Sequence, residues 1–243
     1  MKKLLLTIAY DGTDYHGWQI QPNGITVQEV IEASLEKLLG KKTPVAGCSR
    51  TDSGVHAEEF CLHLQCEDNI PEKAFLVGLN SILPNDISVK KCVAVCEDFH
   101  ARFDCKGKTY VYNLYEGPTD PFLSRYALRV DELPSEVMIN EFCKNLIGTH
   151  DFFAFSSSGR TVENTVRTVT ECSYHNEGNR GYFKITANGF LYNMVRIAVG
   201  TALEVAEGRL SPACALEAFE TKDRGVLGKT IQPQGLFLYK VFY

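Results

Sequence analysis

No run of 18 apolar residues occurs in the sequence, so no segment has the length that a membrane-spanning helix needs. No pair of cysteines stands as Cys-x-x-Cys, although nine are present, at 48, 61, 66, 92, 96, 105, 143, 172 and 214. Their spacing excludes a zinc ribbon or finger, and an odd count in a chain of 243 residues argues against a disulfide framework. They read as reduced, mostly buried small hydrophobes, which places the protein in a reducing compartment, the cytoplasm. The opening Met1-Lys2-Lys3-Leu4-Leu5-Leu6-Thr7-Ile8-Ala9-Tyr10 lacks the small-residue cleavage site of a signal peptide and runs into Asp11-Gly12, so a first strand is expected there. Gly24, Gly117 and Gly148 punctuate turns and helix ends, and none belongs to a phosphate-binding loop. His56 and His100 have no third ligand at metal spacing, and no metal site is expected. Tryptophan occurs once, as Trp18, which suits core packing or the anchoring of a loop.

Positive charge is also scarce. The formal net charge is −5, which by itself argues mildly against a nucleic-acid partner. Its distribution says more. Residues 1–105 carry 10 Lys+Arg against 15 Asp+Glu, whereas residues 106–243 carry 15 of each, including eight of the ten arginines. Arginine suits bidentate phosphate contacts and base stacking.

What is present is an ordinary globular balance, 44% hydrophobic and 23% charged. Leu4 to Tyr10 predicts a strand ended by the turn signal Asp11-Gly12. Thr26-Val27-Gln28-Glu29 is a capping box, and Val27, Val30, Ile31, Leu35, Leu38 and Leu39 follow at helical spacing until Gly40. Short strands are expected at Val45–Cys48 and around Phe60, Leu62 and Leu64. A second helix should open at Pro71 and stop before Leu83-Pro84, and a strand should run from Ile87 to Val95. The second half repeats this order. A strand is expected at Thr109–Tyr115, a helix at Ser135–Ile147, a hairpin from Val166–Tyr174 and Tyr182–Ala187, helices at Phe190–Ala206 and from Ser211-Pro212, and a last strand at Leu236–Phe242. The pattern predicts an α+β fold of two ferredoxin-like β-α-β-β-α-β domains, residues 1–105 and 106–243, with antiparallel sheets side by side and a central cleft. Only the order of elements, not a sequence repeat, suggests the duplication.

The segment Arg50-Thr51-Asp52-Ser53-Gly54-Val55-His56 lies between two expected strands. Asp-Ser-Gly suits a tight turn in which the carboxylate merely accepts backbone N–H bonds. The arginine two residues before it, the histidine after it and the apolar elements on both sides equally suit a catalytic loop on a rigid scaffold. Tyr110 and Tyr112 share one strand face, which alone suggests core packing.

Nine motifs in order decide between these readings. They are Tyr10-Asp11-Gly12 with Gly17-Trp18-Gln19; Val27-Gln28; Arg50 to His56; Leu83-Pro84 with Asp86-Ile87; Phe99-His100-Ala101-Arg102-Phe103; Lys108-Thr109-Tyr110-Val111-Tyr112; His150-Asp151-Phe152; Met194-Val195-Arg196; and Gly235-Leu236. Over nearly its whole length the chain resembles the TruA-type tRNA pseudouridine synthases. It departs from them at Ser49, where the family usually has Gly, and at Ser53, where it often has Ala or Gly; both are small residues for small residues. The resemblance implies that Asp52 is the nucleophile, that Arg196 pairs with it and that Arg50 helps open the RNA. It further implies that Tyr110 packs on the target base and that Leu236 forms an apolar wall of the uracil pocket. The implied substrate is the tRNA anticodon stem-loop at uridines 38, 39 and 40, bound by a homodimer, with no cofactor.

That chemistry needs these residue types. Uridine must lose its C1′–N1 bond, turn its uracil and gain a C5–C1′ bond, without net redox change. A carboxylate adduct can hold one fragment while the other rotates. Asp ionises near ~3.9, and an arginine keeps it ionised where RNA excludes water. Tyr110, with the phenol's ordinary pKa near ~10, is a candidate base for the C5 proton and equally a stacking surface. Two other readings stay open. One is a non-catalytic RNA-binding module, which would not need Asp52. The other is an aspartate hydrolase, which would usually need a second carboxylate or a metal. If an acidic chain holds a polyanion, its basic residues must be segregated. A positive cleft is expected, lined by Arg50, Arg102, Lys106, Lys108, Arg160, Arg167 and Arg196.

Overall fold

The computed structural model describes residues 1–157 and 162–243. In chain order the elements are β1 (Lys2–Tyr10), α1 (Val27–Leu39), β2 (Ala46–Gly47), β3 (His56–Cys66), a π-helical turn (Ala74–Gly78) and β4 (Ile87–Val95). They continue with β5 (Gly107–Glu116), β6 (Leu128–Val130), α2 (Glu136–Leu146), β7 (Gly148–Asp151), β8 (Val166–Glu177), β9 (Arg180–Ala187), α3 (Met194–Ala206), α4 (Cys214–Thr221) and β10 (Leu236–Phe242). The fold is α+β, and it falls into two compact units: Met1–Lys106 with Phe237–Tyr243, and Gly107–Leu236.

In the first unit, β1 is central and antiparallel to both β3 and β4, while β2 pairs with the far edge of β3. The order β4-β1-β3-β2 is that of a split β-α-β-β-α-β unit. Leu4, Leu6 and Ile8 stand opposite Leu64, Leu62 and Phe60, all at most 1% exposed, so one face of the sheet is dry. Val27, Ile31 and Leu35 of α1 supply the buried face of that helix. Its start follows the capping box: the Thr26 side chain accepts the Glu29 N–H at 3.4 Å. Its end is Gly40 at φ 71°, a left-handed position that glycine adopts without strain. The helix expected from Pro71 is instead built around the five-residue π-helical turn, with Phe75 buried. There Gly78 lies so close to α1 that a Cβ would meet Leu38 at 2.7 Å.

In the second unit, β9 lies antiparallel between β5 and β8, and β7 extends the far side of β8. Tyr112 and Tyr174 both stand opposite Phe183, and all three are at most 1% exposed. Ile139, Phe142 and Leu146 of α2 are likewise buried. Helix α3 is buried at nine of its thirteen positions. That fits its nearly unbroken apolar sequence, since a helix apolar all round belongs inside. It begins at Met194 rather than Phe190, because Asn193 takes a left-handed φ of 61°. The short strands β6 and β7 carry too few residues to show a period of two and were not expected.

The last strand has the expected bounds, Leu236–Phe242, but a different home. Its residues from Phe237 onward belong to the first unit, where Phe237 and Leu238 run parallel to His56 and Ala57. The Tyr243 hydroxyl donates to the Ala101 carbonyl at 2.8 Å, and its ring lies 5.0 Å from that of Phe99. Alternation along a strand reveals a half-buried element, but not which edge it will join.

Candidate active site

The loop carrying Asp52 is fixed within the first unit by the segment that follows β1. The Tyr10 and Thr51 hydroxyls are hydrogen-bonded at 2.8 Å in a buried position. The Trp18 N–H donates to the Thr51 carbonyl at 3.1 Å. The Tyr15 carbonyl accepts the Gly54 N–H at 3.3 Å and the Ser53 hydroxyl at 3.2 Å. Val55 N–H closes the turn on the Asp52 carbonyl at 3.2 Å, with Gly54 at φ 76°. Asp52 is half-buried at its apex, and Arg50 is exposed.

Two glycines explain why this cradle fits. A Cβ on Gly17, itself at φ 78°, would run into the Thr51 carbonyl and lie 3.1 Å from the Asp52 carbonyl carbon. A Cβ on Gly12 would run into the Val55 carbonyl. The Tyr-Asp-Gly and Gly-Trp-Gln motifs therefore act as the bed of the Asp52 turn. Trp18 is its anchor, 3% exposed and stacked on Phe60 at 4.0 Å. Asp86 braces the bed from below: its carboxylate accepts the Tyr15 hydroxyl and its carbonyl accepts the Asp11 N–H, at 2.8 and 2.9 Å. Burial, and then the neighbouring Asp86, push the Tyr15 phenol well above its ordinary range.

His56 is wholly buried and stacks on Phe237 at 4.5 Å. Its Nδ1 lies 3.0 Å from the Gly12 nitrogen and 3.1 Å from an Asp11 carboxylate oxygen, and it cannot accept from one while donating to the other. The buried Gly12 N–H needs an acceptor, whereas that Asp11 oxygen already receives the Thr13 N–H and hydroxyl. Nδ1 is accordingly assigned as the acceptor of the Gly12 N–H. His56 thus ties the Asp52 loop to the Asp11-Gly12 turn. Its position after the loop marks it in the sequence, but its structural job emerges only from the contacts.

Three further residues are placed by the second unit. Arg196 lies in the first turn of α3, half-buried; its Nε donates to the Ile231 carbonyl at 2.7 Å and its Nη1 to Asn193 Oδ1 at 2.8 Å. Tyr110 lies on β5, 6% exposed, with Phe190 edge-on at 4.9 Å. Leu236, 5% exposed, follows Gly235, where a Cβ would meet the Tyr112 ring and the Asn113 carbonyl, both at 2.7 Å. Tyr112 connects these groups: its hydroxyl donates to the Gln232 carbonyl at 2.7 Å, and burial raises its phenol while the nearby Arg196 charge acts the other way. Asn193, Phe190 and Tyr112 were not singled out as site residues from the sequence. An asparagine three residues before an arginine on a helix is the one signal that could have found the first of them. Asp52 and Arg50 therefore belong to one unit, and Tyr110, Arg196 and Leu236 to the other.

The basic residues expected to face a polyanion fare differently. Arg102 and Lys106 are exposed. Lys108 is 8% exposed, and Arg167 is half-buried, donating to the Asn164 and Val166 carbonyls. Arg160 lies outside the described residues. Among the described residues no group of His, Cys, Asp or Glu side chains is arranged to hold a metal ion. No helix among them is long and apolar enough to cross a membrane.

Comparison with known proteins gives one consistent result. A family model described as tRNA pseudouridine synthase matches residues 6–104 and 142–243. The chain is 43% identical over 244 residues to a tRNA pseudouridine synthase A 2 of Clostridium perfringens, with all of both chains covered. It is 42% identical to a tRNA pseudouridine synthase A of Clostridium acetobutylicum, again over the full length of both. A relative of the same name in Exiguobacterium sibiricum is 39% identical, with 100% of this chain and 97% of the relative covered. Among solved structures, a Cbf5-Nop10-Gar1 complex aligns with 83% of this chain and 44% of that chain, at 14% identity and a TM-score of 0.37, too slight a likeness to carry weight.

Proposed function

Because the chain belongs to the tRNA pseudouridine synthase family, and so is an isomerase acting on tRNA, we propose that it modifies uridines 38, 39 and 40 of the anticodon stem-loop through a covalent adduct on Asp52. The observation that carries this reading is the Asp52 turn, held at its backbone by Tyr15 and Trp18 and floored by Gly12 and Gly17, so that the carboxylate is presented on a rigid bed.

In the proposed reaction Asp52 attacks and the C1′–N1 bond breaks. The freed uracil turns, C5 bonds to C1′ in place of N1, and the bond to Asp52 breaks, which returns the free carboxylate. C5 gives up its proton and N1 gains one, so atoms balance and neither oxidant nor cofactor enters. Arg196 holds Asp52 ionised once RNA has displaced water. Arg50 enters the RNA to help free the target nucleotide. Tyr110 packs on its base, and Leu236 lines the uracil pocket.

Incubation with unmodified tRNA transcripts, followed by chemical derivatisation, maps the product. Pseudouridine is expected at 38, 39 and 40, with a yield unchanged after exhaustive chelation and dialysis. Modification confined to other positions, or activity lost to chelator and restored by zinc or magnesium with RNA folding controlled, would overturn the reading.

We also infer that the protein works in the cytoplasm as a homodimer with one tRNA touching both subunits. Light scattering at micromolar concentration should then give about twice 27.1 kDa. A fully active monomer would refute the dimer.

A further inference from the structure

Helix α3 starts in an unusual way. The residue before a helix ordinarily has extended backbone, and its side chain caps the first free N–H groups. Asn193 does neither. Its φ is 61°, one of only two positive values among the described non-glycine residues, and its side chain makes no capping bond. Asparagine tolerates this region better than most residues, but a backbone outlier beside a functional arginine points to a use for the side chain.

The use is visible in its contacts. Arg196 Nη1 donates to Asn193 Oδ1 at 2.8 Å, and Asn193 Nδ2 donates to the Ser157 hydroxyl at 2.9 Å. A guanidinium has donors only, so the amide must turn its oxygen to Arg196 and its nitrogen to Ser157. On the other side, Arg196 Nε is held by the Ile231 carbonyl at 2.7 Å. That carbonyl is itself fixed. A Cβ on Gly200 of α3 would run into the Lys229 carbonyl, and the Gly228 N–H donates to Thr201 at 3.0 Å, so the segment leading to Ile231 packs closely against the helix. The guanidinium is held at two of its nitrogens, Nε and Nη1.

We propose that Asn193 is the positioning residue for Arg196: it gives up helix capping and accepts a left-handed backbone in order to aim the guanidinium. This rests on the reading of Arg196 as the partner of Asp52. Asn193 touches neither Asp52 nor the uridine in this role. It sets the direction in which Arg196 presents its charge, and it couples that direction to the chain at Ser157.

The test separates aiming from folding. Asn193→Gly removes the side chain while suiting φ 61° better than asparagine does, so its thermal midpoint should match or exceed that of the wild type. Its kcat on tRNA transcripts should nevertheless fall by about 10- to 100-fold, with KM within about threefold, because misaiming a catalytic group by ~1 Å costs rate rather than binding. Asn193→Asp, which keeps an acceptor for Nη1, should recover most of that loss. In the Arg196→Ala background, Asn193→Gly should add nothing, since the two changes remove one interaction. A wild-type kcat for Asn193→Gly, or a loss that multiplies with that of Arg196→Ala, would overturn the proposal while leaving the role of Arg196 intact. An Arg196→Ala variant as active as the wild type would overturn both.

Discussion

Asp52→Asn should leave tRNA binding within about twofold of wild type and cut pseudouridine formation by about 10³-fold or more, the scale on which loss of a nucleophile acts. The substitution is nearly isosteric. The turn-closing bond uses the Asp52 backbone carbonyl, to which Val55 donates at 3.2 Å, and an asparagine keeps that carbonyl. Gly12, Gly17, Tyr15 and Trp18 bear on backbone atoms of the loop, so the bed should hold its shape. A neutral amide is a far poorer oxygen nucleophile than a carboxylate and does not form the corresponding ester-type adduct. Asp52 is also the sole carboxylate between Arg50 and His56, so no neighbour on the loop can replace it. The measurement is single-turnover pseudouridine formation beside filter binding of the same transcript. Residual activity above about a tenth of wild type would remove Asp52 from the role of nucleophile.

Binding should collapse with salt. A chain of formal net charge −5 holds a polyanion only through segregated basic residues, and each phosphate engaged contributes roughly 0.7–0.9 to the slope of log affinity against log salt. With about four to six phosphates engaged, a fourfold rise in salt should weaken tRNA binding by roughly 50- to 2000-fold. The choice of variants follows from burial. Lys108 is only 8% exposed, so its truncation would disturb packing as well as charge, whereas Arg102 and Lys106 are exposed. Arg102→Ala/Lys106→Ala should therefore lower the slope by about 1.4–1.8, at two phosphates' worth. Lys41→Ala/Lys42→Ala should leave it unchanged: both lysines are exposed, and Lys41 is occupied by Glu67 at 2.7 Å. Equal slopes for the two double variants and wild type would show that Arg102 and Lys106 do not face the RNA.

The two expectations draw on different layers of the protein. Asp52 could be named from the sequence because the chemistry of its loop and the motifs around it lie in continuous stretches of chain. The same holds for local structure. Thr26 and Glu29 frame the start of α1, Gly40 ends it at a left-handed φ, and β4 and β10 have the bounds that their residue patterns predict. Each of these is decided within a few residues by capping, turn chemistry or alternation.

What the tertiary structure decided is where those pieces go and what they press against. Alternation in Leu236–Phe242 cannot say that Phe237 will lie beside His56, because register is set by the partner edge. Apolar continuity up to Phe190 could not show that α3 waits until Met194, because Asn193 is drawn into a left-handed backbone where its amide meets Arg196 and Ser157, the latter 36 residues away in sequence. In the sequence His56 is only the histidine that ends the Asp52 loop, and it becomes a buried brace only once Gly12 and Phe237 surround it. Lys108 stands among charged candidates until β5 is built, and is then mostly hidden. The sequence by itself determined most of the local elements and singled out Asp52 as the candidate carboxylate, since both readings depend on near neighbours. Burial, strand partnership and the aim of each side chain came from contacts between distant residues, which exist only after the chain has folded.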